Sequence, residues 1–158
     1  MQYRFVDLLR PEHVLTGLRA STPRKAIYEL TRLLVRSGHV TPAFAADVWK
    51  RELTFPTGLP TEPLAVAMPH ADPDHVNQSA VGIAVLESPV RFRQMGTDGS
   101  AVLDVPIVFL LAIKEREKQV EMIQELVSVI QNPSLLKALA AAKDAQEVVE
   151  LIRRALKV

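Results

Sequence analysis

The spacing of hydrophobic positions changes twice along the chain, and each change marks a change in the type of predicted element. Between about residues 23 and 55, apolar residues recur every three or four positions, which is the spacing of an amphipathic helix. In the middle of the chain they form short continuous runs rich in valine and isoleucine, which are typical of buried strands. The helical spacing returns at about residue 117. The pattern therefore predicts helices, then strands, then helices.

Two helices are predicted in the first part of the chain. Thr22-Pro23 gives an N-cap followed by a proline at the first helical position, and Gly38 is a stop signal, so the first helix is predicted over 23–37. Thr41-Pro42 repeats the start signal for a second helix. The apolar face of this helix consists of Phe44, Ala45, Val48 and Trp49, with Leu53 as a further candidate.

The predicted strands lie mainly in the middle of the chain. Buried strands are predicted at 64–68, 79–86 and 105–113, and segments 5–9 and 13–15 are interpreted as an edge strand around Pro11. After residue 117 a helical pattern is broken at Asn132-Pro133, and a capping box over 144–147 opens a last helix. A sheet between two sets of helices predicts one α/β domain, residues 1–158, with the sheet covered on both faces.

The charge is nearly balanced and cysteine is absent. There are 19 basic and 18 acidic residues and no basic run, so we expect no nucleic-acid partner. The longest apolar run, 105–113, is far shorter than the roughly 20 residues that span a bilayer, and the first residues do not begin a signal peptide. We therefore expect a cytoplasmic protein without membrane insertion. Without cysteine, disulfides, thiolate metal ligands and cysteine nucleophiles are excluded.

His70 has the most distinctive position of the four histidines. It follows the apolar run 64–68 and Pro69, which fixes φ and lacks a backbone donor, so the strand ends there and the ring is placed at the rim of the sheet. Binding sites of α/β proteins lie at such rims. A ring that merely caps a backbone carbonyl remains an alternative. His13 and His39 lie at predicted element ends, where we expect solvated or locally hydrogen-bonded rings without a functional role.

Two chemical interpretations of His70 compete. His70, Asp72, Asp74 and His75 resemble the His-x-His-x-Asp-His metal cluster of metallo-β-lactamase-like hydrolases, but Asp72 replaces the second histidine and no histidine follows position 75. We therefore expect neither a metal nor another cofactor. The second interpretation is a phosphoryl acceptor, because a neutral imidazole is a competent nucleophile near pH 7. Arg51 and Thr57 would then meet the phosphoryl charge. We expect a partly exposed His70 ring in a shallow depression within reach of Arg51.

Several segments, taken in order, resemble a known family over nearly the whole chain. They are Arg51-Glu52, Pro56-Thr57-Gly58-Leu59, Ala65-Val66-Ala67-Met68-Pro69-His70, 86–96, and 109–113 followed by Gln119. Together they are similar to the IIA component of the bacterial phosphoenolpyruvate-dependent sugar phosphotransferase system, in its mannitol/fructose-like group and especially its galactitol type. The resemblance implies a three-layer α/β sandwich with a mixed sheet of four or five strands.

The same resemblance implies a role for His70 and a set of partners. His70 would take a phosphoryl group from the phosphocarrier HPr and pass it to a IIB component, and a IIC membrane component would take part only indirectly. The IIB of this type carries phosphate on a cysteine, which this chain lacks, so the acceptor must be another chain. An alternative remains open: a regulatory IIA-like domain whose phosphohistidine signals to a partner without sugar transport.

The chain departs from the family pattern at Gln119. Many mannitol- and fructose-type members have a second active-site histidine at this position, and the glutamine favours the galactitol type. Glutamine can donate a hydrogen bond to a phosphoryl oxygen but brings no positive charge, so more of the charge compensation falls to Arg51. Asp72 is a candidate for orienting the His70 ring, as carboxylates do beside catalytic histidines.

Overall fold

A five-stranded mixed sheet lies between two layers of helices in the computed structural model, which describes residues 2–157. The strands are β1 (Val14–Leu18), β2 (Gly58–Leu59), β3 (Val66–Ala67), β4 (Ala80–Arg93) and β5 (Val102–Ala112). The helices are α1 (Pro23–Arg36), α2 (Phe44–Thr54), α3 (Gln119–Ile130), α4 (Pro133–Ala140) and α5 (Ala145–Ala155). This arrangement confirms the predicted three-layer α/β sandwich.

The strands are ordered β1-β4-β5-β3-β2 across the sheet. β1 is parallel to β4, and β3 is parallel to β5, while the β4–β5 and β2–β3 pairs are antiparallel. β4 is longer than predicted, because the chain continues through Ser88-Pro89 and pairs with β5 again at Val90. The register shifts between Val85 and Val90, which is where a sheet tolerates a proline.

The core has two halves, one on each face of the sheet. Ile107, Phe109 and Leu111 of β5 pack toward α3, α4 and α5, whereas Val108 and Leu110 pack toward α1 and α2. Neighbouring residues of a strand point to opposite faces, and here both faces are covered. For this reason β5 is a continuous apolar run rather than an alternating one.

Three elements differ from the prediction. Residues Phe5–Leu8 form a 3₁₀ turn, and the edge strand begins only at Val14. The strand predicted at 64–68 is reduced to β3, because prolines flank it on both sides. Leu53 is 48% exposed and is not part of the apolar face of α2. The inward position four residues after Val48 belongs to Glu52.

None of the helices within residues 2–157 is both long enough and apolar enough to cross a bilayer.

Candidate active site

His70 is anchored to the centre of the sheet by the backbone. The Leu111 N–H donates to the Pro69 carbonyl at 3.0 Å, and His70 forms an isolated parallel bridge with Leu111 of β5. The sequence after β3 thus continues beside β5 for one more bridge and then turns away at Pro73. The ring is held at the end of the short strand, as the proline pattern predicts.

The hydrogen bond of the His70 ring defines its tautomer. Nδ1 lies 2.9 Å from the Met68 carbonyl oxygen. Because a carbonyl can only accept, the proton is on Nδ1 and the lone pair is on Nε2. Burial lowers the pKa of His70, and the positive charge of Arg51 lowers it further, while the Met68 hydrogen bond acts in the opposite direction. The ring is therefore neutral near pH 7 and has a nucleophilic nitrogen.

The ring lines a cleft of about 800 Å³ that also borders Arg51 and Thr57. The walls are the loop 54–61, the β4–β5 turn at Met95–Thr97, and the face of α3 with Ile123, Val127 and Ile130. His70 is only 7% exposed, so the site is deeper than the shallow depression predicted from the sequence. A donor group must enter the cleft to reach the ring.

Arg51 is the one arginine or lysine among the described residues that line this cleft. Its Nε is buried and has no hydrogen-bond partner within residues 2–157. The guanidinium carbon lies 5.1 Å from the centre of the Phe55 ring, a cation–π contact. Buried polar groups in proteins are usually satisfied, so a buried guanidinium nitrogen without a partner fits a group that binds an anion.

Thr57 lines the cleft but its hydrogen-bond donors are directed elsewhere. Its backbone N–H donates to Glu52 Oε2 at 2.9 Å, and its hydroxyl donates to Glu52 Oε1 at 2.8 Å. Burial raises the pKa of Glu52, while these two hydrogen bonds and the charge of Arg51 lower it. Because a hydroxyl has one hydrogen, Thr57 does not offer it to a phosphoryl group in this arrangement. No functional role was predicted for Glu52 from the sequence, although its spacing from Val48 places it on the inner face of α2.

Asp72 does not orient His70. It is exposed and lies 3.3 Å from the Arg116 guanidinium, which is also 4.0 Å from Asp74. The Pro73–His75 turn directs the chain away from the ring, and the Met68 carbonyl takes the place that Asp72 was expected to fill.

Gln119 is the first residue of α3 and does not itself line the cleft. It lies four residues before Ile123, on the helix face that does so. Its Oε1 is buried and has no partner among the described residues. The structure therefore brings together His70, Arg51 and Thr57, and places Gln119 one helical turn from the cleft wall.

The remaining histidines are structural. His13 and His39 are buried and share the Ser37 hydroxyl, each at 2.8 Å, so they are locally hydrogen-bonded rather than solvated. His75 pairs with Asp47 of α2. In the part of the chain that the structure describes, no three His, Asp or Glu side chains are grouped as metal ligands, so the metal interpretation has no geometric support.

The fold and this cleft define a class of protein: an open α/β sheet that presents a neutral histidine beside an arginine whose Nε has no partner within residues 2–157, suited to binding and transferring an anionic group. The chain belongs to the family described as "Phosphoenolpyruvate-dependent sugar phosphotransferase system, EIIA 2", whose model matches residues 7–155. Proteins of this family transfer phosphoryl groups by way of a phosphohistidine, and the chain is a protein of this kind.

Three known proteins illustrate the similarity. The galactitol-specific EIIA component of Escherichia coli (strain K12) is 27% identical over 138 residues, which are 74% of this chain and 91% of the relative. In the solved complex of enzyme IIAMTL with phosphorylated enzyme IIBMTL from Escherichia coli, the match has a TM-score of 0.76 at 26% identity and covers 92% of this chain and 97% of that chain. Nitrogen regulatory protein IIA-Ntr from Neisseria meningitidis matches with a TM-score of 0.76, covering 93% and 97%, but its 21% identity extends the likeness to the fold alone.

Proposed function

We propose that His70 is the phosphorylated residue, and that the chain carries a phosphoryl group from phospho-HPr to a IIB component as one IIA domain. One observation carries this proposal: the Met68 carbonyl binds Nδ1 and leaves the Nε2 lone pair of a neutral ring in the cleft beside Arg51. A neutral imidazole with a defined free nitrogen is the form that can attack phosphorus.

The proposed cycle has two balanced transfers. In the first, a bond forms between His70 Nε2 and phosphorus while the phosphorus–nitrogen bond of the donor histidine breaks, and its electron pair returns to the donor ring. In the second, a thiolate of the IIB cysteine attacks the same phosphorus, and the electron pair of the breaking bond returns to Nε2. The proton stays on Nδ1 and remains hydrogen-bonded to the Met68 carbonyl in both transfers, so the ring needs no change of tautomer.

Arg51 and Gln119 are proposed to stabilise the transferring group. Arg51 supplies the positive charge, because its buried Nε has no partner in residues 2–157 and it lines the same cleft as His70, which is only 7% exposed. Gln119 would donate through its amide nitrogen when the phosphoryl group is present, since it lies on the cleft-facing side of α3. Neither role requires a metal ion.

The relatives support the biological role that we propose. The galactitol-specific relative supports a galactitol-like polyol or sugar as the transported substrate, and the complex of enzyme IIAMTL with phosphorylated enzyme IIBMTL supports a IIB partner. A cysteine acceptor on that partner is part of the proposal. We propose that the chain works in the cytoplasm beside a IIC membrane component that it contacts only through IIB.

A labelling experiment tests the site. Incubation with phosphoenolpyruvate, enzyme I and HPr should produce a label that is labile in acid and stable in alkali, because protonation of a phosphoramidate nitrogen makes it a good leaving group. His70→Ala should abolish the label, and His75→Ala should retain it, because His75 pairs with Asp47. A chelator added to the purified transfer step should have no effect. Label on His70→Ala would refute the proposal.

A second measurement separates transport from signalling. The labelled protein is mixed with a purified galactitol-type IIB, and the label on each protein is followed. Rapid transfer to a IIB cysteine supports the carrier role. A stable phosphohistidine that no IIB accepts would support the regulatory alternative.

A further inference from the structure

A buried carboxylate closes the loop between α2 and the cleft. Glu52 is 6% exposed, and each of its two oxygens accepts one hydrogen bond from Thr57, from the backbone N–H and from the hydroxyl. An oxygen pair that only accepts is the pattern of an ionised carboxylate. Thr57, five positions after Glu52 in the chain, is thus held to the last turn of α2 through both carboxylate oxygens of Glu52.

We propose that Glu52 is a positioning residue for phosphoryl transfer, which holds Thr57 and the end of α2 so that Arg51 stays in place beside His70. This inference rests on the proposed function of His70. Glu52 does not line the cleft and does not touch the transferring group; it acts through its two neighbours.

The location of Glu52 supports a positioning role. Glu52 occupies the inward position four residues after Val48. An apolar side chain could be buried there without cost, whereas removing a carboxylate from water costs free energy. The two bonds from Thr57 offset this cost, together with the positive charge of Arg51. Both hydrogen bonds to the Glu52 carboxylate come from Thr57, a residue of the cleft wall. Such directed bonds restrict the position of the wall more than hydrophobic contact can.

The backbone connects this contact with both reacting parts of the site. Glu52 directly follows Arg51, and Phe55, whose ring contacts the guanidinium, lies inside the closed loop. Thr57 is followed by Gly58 of β2, which pairs with Ala67 of β3, three residues before His70. The Glu52–Thr57 contact therefore fixes the position of Arg51 relative to the strand that carries His70.

The inference also assigns an indirect role to Thr57. Its hydroxyl hydrogen is donated to Glu52, so we expect the hydroxyl to matter because it holds Glu52 rather than because it contacts a phosphoryl oxygen. If the hydroxyl acts only by holding Glu52, its removal together with Glu52 should slow transfer no further than one removal alone. If the hydroxyl contacts the phosphoryl group directly, the two effects on the rate should multiply.

The test uses Glu52→Gln, Thr57→Val, Thr57→Ser and the Glu52→Gln/Thr57→Val double variant. Glutamine has one acceptor oxygen and can satisfy only one of the two Thr57 donors, and valine keeps the shape of threonine without the hydroxyl. Phospho-HPr is the donor. Two quantities are measured: the transfer rate constant at saturating donor and the final fraction of chains labelled. Glu150→Gln, an exposed helix residue of α5, is the matched control.

We expect Glu52→Gln and Thr57→Val to lower the saturating rate constant by roughly tenfold while nearly all chains still become labelled. Thr57→Ser and Glu150→Gln should remain within about twofold of wild type, because both Thr57 donors and the whole cleft are retained. The double variant should be no slower than the slower single variant, because both changes break the same contact.

Three results would overturn the inference. A wild-type rate constant in Glu52→Gln would remove the positioning role. A reduced labelled fraction with an unchanged rate constant would mean that Glu52 only stabilises the fold. A double variant as slow as the product of the two single effects would mean that Thr57 contacts the phosphoryl group directly. If Glu52→Gln does not fold, the comparison of Thr57→Val with Thr57→Ser tests the inference instead. Equal transfer rate constants in these two variants would refute it.

Failure of the proposed function gives a different result. In that case His70→Ala still takes the label, whatever the rates of the Glu52 and Thr57 variants. The two proposals therefore fail separately.

Discussion

Removal of the positive charge at Arg51 should slow phosphoryl transfer without unfolding the protein. His70 is only 7% exposed in the cleft, so a charge beside it acts at an effective dielectric constant near 20, and an ion pair at about 4 Å is worth about 4 kcal/mol. Part of this attraction already exists before the reaction, and only the part gained in the transition state changes the rate. Assigning about 2–3 kcal/mol to that part predicts that Arg51→Gln transfers roughly 30- to 150-fold more slowly.

The same substitution should change the pH dependence. Burial and the charge of Arg51 both lower the pKa of His70, and the reactive form of the ring is the neutral one. The wild-type rate should therefore fall only as the pH drops below the ordinary imidazole value of 6.5. Without Arg51 the pKa rises, and the fall in rate begins at a higher pH. Both effects come from one charge, so they should appear together.

The assay is the rate of label transfer from phospho-HPr at saturating donor, measured between pH 5 and 8. Arg51→Lys keeps the charge without the guanidinium fork and should fall between wild type and Arg51→Gln. Lys50→Gln, which removes the exposed neighbouring charge on α2, should stay within about twofold of wild type. A wild-type rate and pH profile in Arg51→Gln would show that the charge of Arg51 is not used, and the reasoning would be wrong.

Three further predictions concern other parts of the molecule. Gln119→Ala should leave the free energy of unfolding nearly unchanged and slow transfer roughly tenfold, because one donor to the phosphoryl group is lost; transfer at the wild-type rate would place Gln119 outside the site. Gly58→Ala should destabilise the fold by about 1–3 kcal/mol in urea unfolding, because the added Cβ would lie 2.7 Å from the Arg93 carbonyl oxygen. Gly82→Ala, whose nearest contact would be 3.5 Å, should cost much less, and equal costs would contradict the steric reason. Burial lowers the pKa of His13 from 6.5 to about 4, so between these values the unfolded chain binds a proton that the folded chain does not. The free energy of unfolding should therefore fall by up to about 3 kcal/mol as the pH drops from 6.5 to about 4, and it should fall by less in His13→Gln.

Features that depend on local geometry were predictable from the sequence. The first helix was predicted over 23–37 and is observed at Pro23–Arg36, because caps act through neighbouring residues; the Thr22 side chain accepts from Lys25 N. His70 was predicted at a strand end because Pro69 restricts the backbone at that point. The covered sheet followed from the spacing of apolar residues, which changes with the type of element.

Features that depend on distant partners were not predictable. β4 continues past Pro89 because the facing β5 offers a second stretch of pairing, and pairing cannot be read from one strand. Asp72 turns away from His70 toward Arg116, which is 44 positions later in the sequence. The depth of the His70 cleft depends on α3, which follows all five strands in the sequence.

The sequence by itself determined which residue types were present for the chemistry, and the tertiary structure decided which of their atoms remain free to react. A histidine, an arginine and a threonine could be selected from motif and position. Within residues 2–157, Nε2 of His70 is free, Nε of Arg51 has no partner and the Thr57 hydroxyl is occupied by Glu52. All three properties depend on hydrogen bonds made in the folded chain. A hydrogen-bond donor or acceptor is available to a substrate only when the fold has not already satisfied it, and that property has no signature in the sequence.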